Sequence, residues 1–184
     1  MKNLGLTIVL GMLLFGVSAQ PAPASQPPST GDVLKQAMAQ AKSSKRNVWV
    51  IFHASWCGWC KKLDAFIDSP EFKPIFDRNF VIVHLTVMEN GDKKNLENPG
   101  GMEYMTKLGG AAAGLPFFAM LDSNGKVLSD SMMVVPGKTE KQNTGHPMAP
   151  EEVAHFMTML QKAAPNLSQG DRDKINKFLS SQKR

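Results

Sequence analysis

Val48-Trp49-Val50-Ile51-Phe52-His53-Ala54-Ser55-Trp56-Cys57-Gly58-Trp59-Cys60-Lys61-Lys62-Leu63 decides how this chain is read. Its first half is β-branched and aromatic with no polar alternation. That is the pattern of a strand buried on both faces, which belongs in a parallel or mixed sheet covered by helices. The run leads straight into C-x-x-C, and an amphipathic helical segment follows. Cys57 and Cys60 are the chain's two cysteines. Three residues apart at a helix start, they share the first turn within bonding reach of each other, and the outer sulfur sits where helical N–H groups favour an anion. The spacing predicts a reversible disulfide.

The 184 residues, 42% of them hydrophobic, supply the core of one ordinary domain and exclude disorder throughout. The formal charge of +5 comes from scattered lysines and arginines, which argues against nucleic acid as a partner. Lys2, the apolar stretch Leu4 to Val17 and the small residues Val17-Ser18-Ala19 before Gln20 have the layout of a secretory signal. The stretch is too short to span a bilayer comfortably, so cleavage is expected over retention as an anchor. Residues 1–19 are thus read as a signal peptide and the protein as periplasmic or secreted. In an oxidising compartment a structural disulfide usually closes a sizeable loop, and Cys57 and Cys60 close almost none, so a redox-active pair is favoured over a staple.

Residues 20–31, rich in Pro, Ala and Ser, read as a linker. Val33, Leu34, Ala37, Met38 and Ala41 predict a helix over 32–43, followed by a strand over 47–54. The helix from Cys57 should stop near Ser69-Pro70, with a short helical segment from Glu71 to Phe76 interrupted by Pro74. Phe80 to Val87 reads as a second buried strand, Glu89 to Gly101 as a long surface loop and Met102 to Leu108 as a short helix. Leu115-Pro116 precedes the apolar strand Phe117 to Leu121. Asn124-Gly125 then predicts a hairpin that pairs Lys126 to Val134 with that strand. Pro136 to Ala149 reads as an exposed insertion. Pro150 opens a helix whose apolar face is Val153, Phe156, Met157 and Leu160, and Pro165 ends it. Ser168 with Asp171 resembles an N-cap arrangement for a last helix over 168–181 carrying Ile175, Phe178 and Leu179. The fold class is α/β: a central mixed sheet of four to five strands flanked by helices, with one domain over 32–164 and a C-terminal helical extension over 165–184.

Trp56-Cys57-Gly58-Trp59-Cys60-Lys61 resembles the active site of the thioredoxin superfamily, which in thioredoxin itself reads W-C-G-P-C-K. Leu115-Pro116 ahead of an apolar strand is similar to that family's cis-proline. Across roughly residues 32–163 the chain looks most like exported thioredoxin-like proteins with a Ser-Pro-Glu-Phe segment after the redox helix. The resemblance implies a thioredoxin-like thiol:disulfide oxidoreductase with no cofactor beyond the Cys57–Cys60 disulfide. Cys57 would be the exposed attacking thiolate and Cys60 the shielded resolving thiol. The backbone of Leu115, before a cis Pro116, would receive an incoming chain as a short strand, with Trp56, Gly58 and Trp59 around the sulfur. The implied partners are exported proteins bearing disulfides or thiols and a membrane electron donor or acceptor, and a monomer is expected.

The sequence departs from thioredoxin in three places. Trp59 replaces the proline between the cysteines, so the direction of electron flow does not transfer, although the Trp-Cys-Gly-x-Cys-Lys frame looks more like the reductive branch. Ile51 stands where thioredoxin has a buried aspartate. His53, four residues before Cys57, is either a replacement that tunes the thiolate or a histidine packed at the strand end. Lys61 is either a further source of positive charge near the sulfur or part of a solvated face. Several readings remain beside the reductase: an oxidant or isomerase using the same residues, a thioredoxin-fold binding module with little turnover, and half a metal site. The last lacks further ligands, because His53, His84, His146 and His155 are scattered, and no metal is expected.

Overall fold

The computed structural model describes residues 26–182. The stretch 1–19 read as a signal peptide, the first part of the stretch read as a linker and the last two residues lie outside them. Helix α1 (Thr30–Ser44) begins at Ser29, whose hydroxyl accepts the Asp32 N–H at 3.1 Å, and it ends at Lys45 in the left-handed region (φ 54°). There follow β1 (Asn47–His53), α2 (Gly58–Ile67), α3 (Lys73–Asn79), β2 (Phe80–Thr86), a 3-10 turn (Gly91–Leu96), α4 (Gly101–Lys107), β3 (Phe117–Leu121), β4 (Val127–Asp130), β5 (Met132–Met133), β6 (Gln142–Asn143), α5 (Pro150–Ala163) and α6 (Gln169–Ser181).

The main sheet has the order β2-β1-β3-β4. β1 runs parallel to β2 and antiparallel to β3, and β4 is antiparallel to β3. The expected mixed sheet is therefore present with four strands. Successive side chains of a strand point to opposite faces, and β1 buries both. Trp49 and Ile51 join the core made with α2, α3, α5 and α6, whereas Val48, Val50 and Phe52 join the one made with α1 and α4. β1 ends at His53, so the loop carrying the cysteines emerges at the C-terminal edge of the central strand, a fixed origin for everything built around it. Phe178 of α6 lies 5.2 Å from Phe66 and 4.8 Å from Phe72 between ring centroids, and Arg78 pairs with Asp171 at 3.2 Å. The C-terminal helix thus packs on the domain, and Ser168 caps it by accepting the Asp171 N–H.

Five local expectations are corrected. Pro74 does not interrupt a helix but lies in the first turn of α3, where a missing N–H is not needed. The segment after β2 contains the 3-10 turn Gly91–Leu96 and is not loop throughout. The hairpin at Asp122-Ser123-Asn124-Gly125 forms, with Gly125 at φ 85°, but its second strand stops at Asp130. There the Asp130 carboxylate takes the Met132 N–H at 2.8 Å, and β5 leaves to pair with β6. The insertion is exposed only over 136–142. Thr144, His146 and Met148 are buried, because this stretch folds back against the active-site loop. In α5 it is Met159 that is fully buried, while Met157 is only partly so.

Candidate active site

Cys57 is the N-cap of α2, in extended conformation, and its Sγ accepts the Cys60 N–H at 3.0 Å. The two sulfurs form a disulfide with Cα atoms 5.3 Å apart. At an N-cap the side chain satisfies one of the helix's unpaired N–H groups. Once the disulfide is reduced, the same N–H and the helix dipole favour the Cys57 thiolate. Cys57 is only 3% exposed, against 1% for Cys60, so in the oxidised form the expected contrast between an open outer sulfur and a shielded inner one is absent. Ala54, Cys57 and Cys60 pack together with Leu115, and the peptide between Leu115 and Pro116 is cis. The chain thereby brings Leu115 to the sulfurs across a gap of more than fifty residues. The Leu115 N–H and C=O make no hydrogen bond among the described residues.

Trp56 and Trp59 are both exposed, at 52% and 45%. Each is held. The Trp56 indole N–H donates to the Met88 carbonyl at 2.7 Å, and the Lys62 ammonium lies 4.3 Å above the Trp59 ring. Gly58 has open space where a Cβ would stand. Lys61 is exposed on the first turn of α2. His53 Nε2 lies 3.2 Å from the Thr86 hydroxyl, and its ring is 5.1 Å from that of His84, which pairs with Asp64 at 2.9 Å.

Two segments read as loops hold the site in place. In the first, Glu89 is 1% exposed and its carboxylate accepts both the backbone N–H and the hydroxyl of Ser55, fixing the residue before Trp56. Burial pushes the Glu89 carboxyl up, but the two Ser55 donors, Lys93 and His53 outweigh it and hold it below 4.5. In the second, the Asn143 amide donates to the carbonyls of Gly114 at 2.6 Å and Pro116 at 3.0 Å, bracketing Leu115 from outside. Sequence reasoning missed Glu89, Asn143 and His146. Glu89 opens a polar, turn-rich stretch indistinguishable from a solvated one, and residues 142–148 carry no periodicity. Among the described residues no group of three His, Cys, Asp or Glu side chains is placed to hold a metal ion, and no helix is long and apolar enough to cross a membrane.

Acid should weaken this arrangement in two stages. Burial, helped by His84 for His53 and by Lys62 for His146, holds both histidines below 6.5. The unfolded chain therefore takes up protons that the folded one resists, and stability is full above pH 6.5 and falls below it. Glu89 is stabilising above pH 4.5, and its contribution is lost as pH falls through its depressed pKa. Glu89→Gln should lower stability at neutral pH by about 1–2 kcal/mol, because one of the two Ser55 donors loses its acceptor, and should flatten the second stage. Urea midpoints measured across the pH range check both.

A helix-capping C-x-x-C disulfide beside a cis-proline, at the end of the central strand of a mixed sheet, defines the class of thiol:disulfide oxidoreductases of thioredoxin-like fold. The thioredoxin-like family model matches residues 31–123, half of the chain, and the protein belongs to that family. Similar solved structures include a disulphide isomerase from Xylella fastidiosa Temecula1, 20% identical over 87% of this chain and 98% of that one, with a TM-score of 0.49. Others are DsbH oxidoreductase, 20% identical over 82% and 95% with a TM-score of 0.43, and the C-terminal domain of Neisseria meningitidis DsbD in its oxidised form, 23% identical over 59% and 87% with a TM-score of 0.42. Likenesses at this level carry no further argument about substrate or direction.

Proposed function

We propose that this protein is an exported reductase of disulfides in other exported proteins. The observation that carries the reading is the pairing of an N-capping Cys57 sulfur with the unpartnered backbone of Leu115 beside it. One supplies a stabilised thiolate and the other a place for a substrate strand to pair. In the reduced protein the Cys57 thiolate attacks one sulfur of a substrate disulfide. That S–S bond breaks, the second substrate sulfur leaves as a thiolate and takes a proton, and a mixed disulfide forms. The Cys60 thiol then loses its proton and attacks Cys57 Sγ. This forms the Cys57–Cys60 disulfide and releases the first substrate sulfur, protonated in turn. Two electrons have passed to the substrate, and a dithiol on a membrane donor returns them.

The leader with Lys2, the apolar 4–17 stretch and Val17-Ser18-Ala19 supports export to the periplasm or beyond. The Trp-Cys-Gly-x-Cys-Lys frame favours reduction over oxidation. The test is a trap. In a Cys60→Ser variant the mixed disulfide on Cys57 has no resolving thiol, so the variant should covalently capture several exported proteins, all released by dithiothreitol. Capture of none would favour a binding module that keeps the fold without turnover.

A further inference from the structure

Residues 143–148 reach the redox site from the insertion and are tied down at few points. The Asn143 amide donates to the carbonyls of Gly114 and Pro116, and the Thr144 N–H donates to the Ser131 carbonyl at 2.9 Å. Gly145, in the left-handed region at φ 56°, backs onto the ring of Pro116. At the far end the Glu152 carboxylate accepts the N–H groups of Met148 at 3.0 Å and Ala149 at 2.8 Å. Between these ends, the one side-chain bond to another element among the described residues comes from His146. Its Nε2 donates to Gln182 Oε1 at 2.9 Å, at the C-cap of α6, and its ring lies 6.3 Å from that of Phe66. The residue is 4% exposed, and with Nε2 carrying the proton, Nδ1 is sealed from solvent with no hydrogen-bond partner.

That enclosure suits a neutral ring and not a charged one. A second proton must go on Nδ1, where no acceptor waits, and a buried donor without a partner is costly. The groups facing the ring add to this. Lys62 on α2 repels an imidazolium, and α6 presents only the neutral Gln182. Glu152 on α5 attracts one, but its carboxylate is already engaged by the Met148 and Ala149 N–H groups. Water solvates the cation fully, so protonation drives the ring outward. We propose that His146 is a proton-operated latch: neutral, it pins residues 143–148 of the insertion between the cis-proline loop and the end of α6, and protonated, it releases them while the main sheet stays folded. The inference stands on packing and charge, goes beyond the oxidoreductase reading and does not depend on it. On leaving, the ring gives up one hydrogen bond and one aromatic contact, far less than unfolding the sheet costs, and Gly145 supplies backbone freedom for the movement. Asn143 and Gly145 abut the cis-proline loop, so acid loosens the wall of the redox site before it loosens the core.

Amide hydrogen exchange followed by NMR tests the latch. The Thr144 N–H should exchange through a local opening and be at least about tenfold less protected than the amides of Val50 and Ile51 in β1. Corrected for the intrinsic rate, its protection should fall about five- to tenfold between about pH 7.5 and about pH 5.5, the response of one histidine that takes up its proton on opening. The His146 ring resonances of the wild type should titrate with the same midpoint. In Gln182→Glu a carboxylate replaces the amide beside Nε2 and holds the imidazolium in place, so the fall should shrink below about twofold. Three results would overturn the latch: a Thr144 amide as protected as Val50 and Ile51, ring and amide midpoints more than about one pH unit apart, or an undiminished fall in Gln182→Glu. The first two are read on the wild type and stand whether or not the variant folds.

Discussion

Cys57→Ser should abolish reduction of protein disulfides, with a loss of at least about three orders of magnitude in kcat/KM. The hydroxyl is almost never ionised at neutral pH, whereas the sulfur it replaces sits at the N-cap of α2 with the Cys60 N–H directed at it at 3.0 Å. The fold should survive the change, because Cys57 and Cys60 tie together residues one turn apart and the disulfide closes no loop of consequence. Insulin reduction measures the activity and a urea titration of the same preparation measures the fold. A variant that keeps activity within tenfold of the wild type would show that Cys57 is not the nucleophile. A variant that unfolds would show that the disulfide is a staple after all.

The second large effect lies in the core. Trp49 is fully buried at the middle of β1, with Phe76, Phe80, Phe118 and Phe156 at 5.4 to 5.7 Å between ring centroids. Trp49→Ala should cost about 3–5 kcal/mol, a large part of the stability of a domain this size, because four rigid aromatic neighbours cannot close the cavity. Trp49→Phe should cost much less than half of that. The indole N–H of Trp49 is buried with no hydrogen-bond partner among the described residues, so removing it recovers part of what the smaller ring loses. Urea midpoints of the two variants test the ordering. If Trp49→Phe proved as damaging as Trp49→Ala, the shape of the indole rather than aromatic volume would hold this core together.

These two residues also mark how much was legible in the sequence. β1 and the cysteines were readable because the strand is buried on both faces and shows it as an unbroken apolar run, and because C-x-x-C after such a strand has few other meanings. Leu115-Pro116 was readable through its place before an apolar strand. The second strand of the hairpin reads too long because Asp130 turns the chain by a local side-chain bond to the Met132 N–H, and the polar residues Ser129, Asp130 and Ser131 at that point are equally compatible with a partly exposed strand. The supports of the site were not legible for a related reason. Glu89 and Asn143 do their work through hydrogen bonds to residues 34 and 27 to 29 positions away, and neither bond has a period or composition of its own. His146 is buried by tertiary packing within a stretch whose glycines and prolines read as an exposed loop.

The measurement that bears most directly on the account is the equilibrium of the Cys57–Cys60 disulfide with a glutathione redox series. A reductase of exported proteins should hold its disulfide at a potential below about −250 mV, more reducing than the glutathione couple of an oxidising compartment. A potential near that of the strongly oxidising members of this chemistry, about −120 mV, would contradict the proposed direction and make the protein an oxidant.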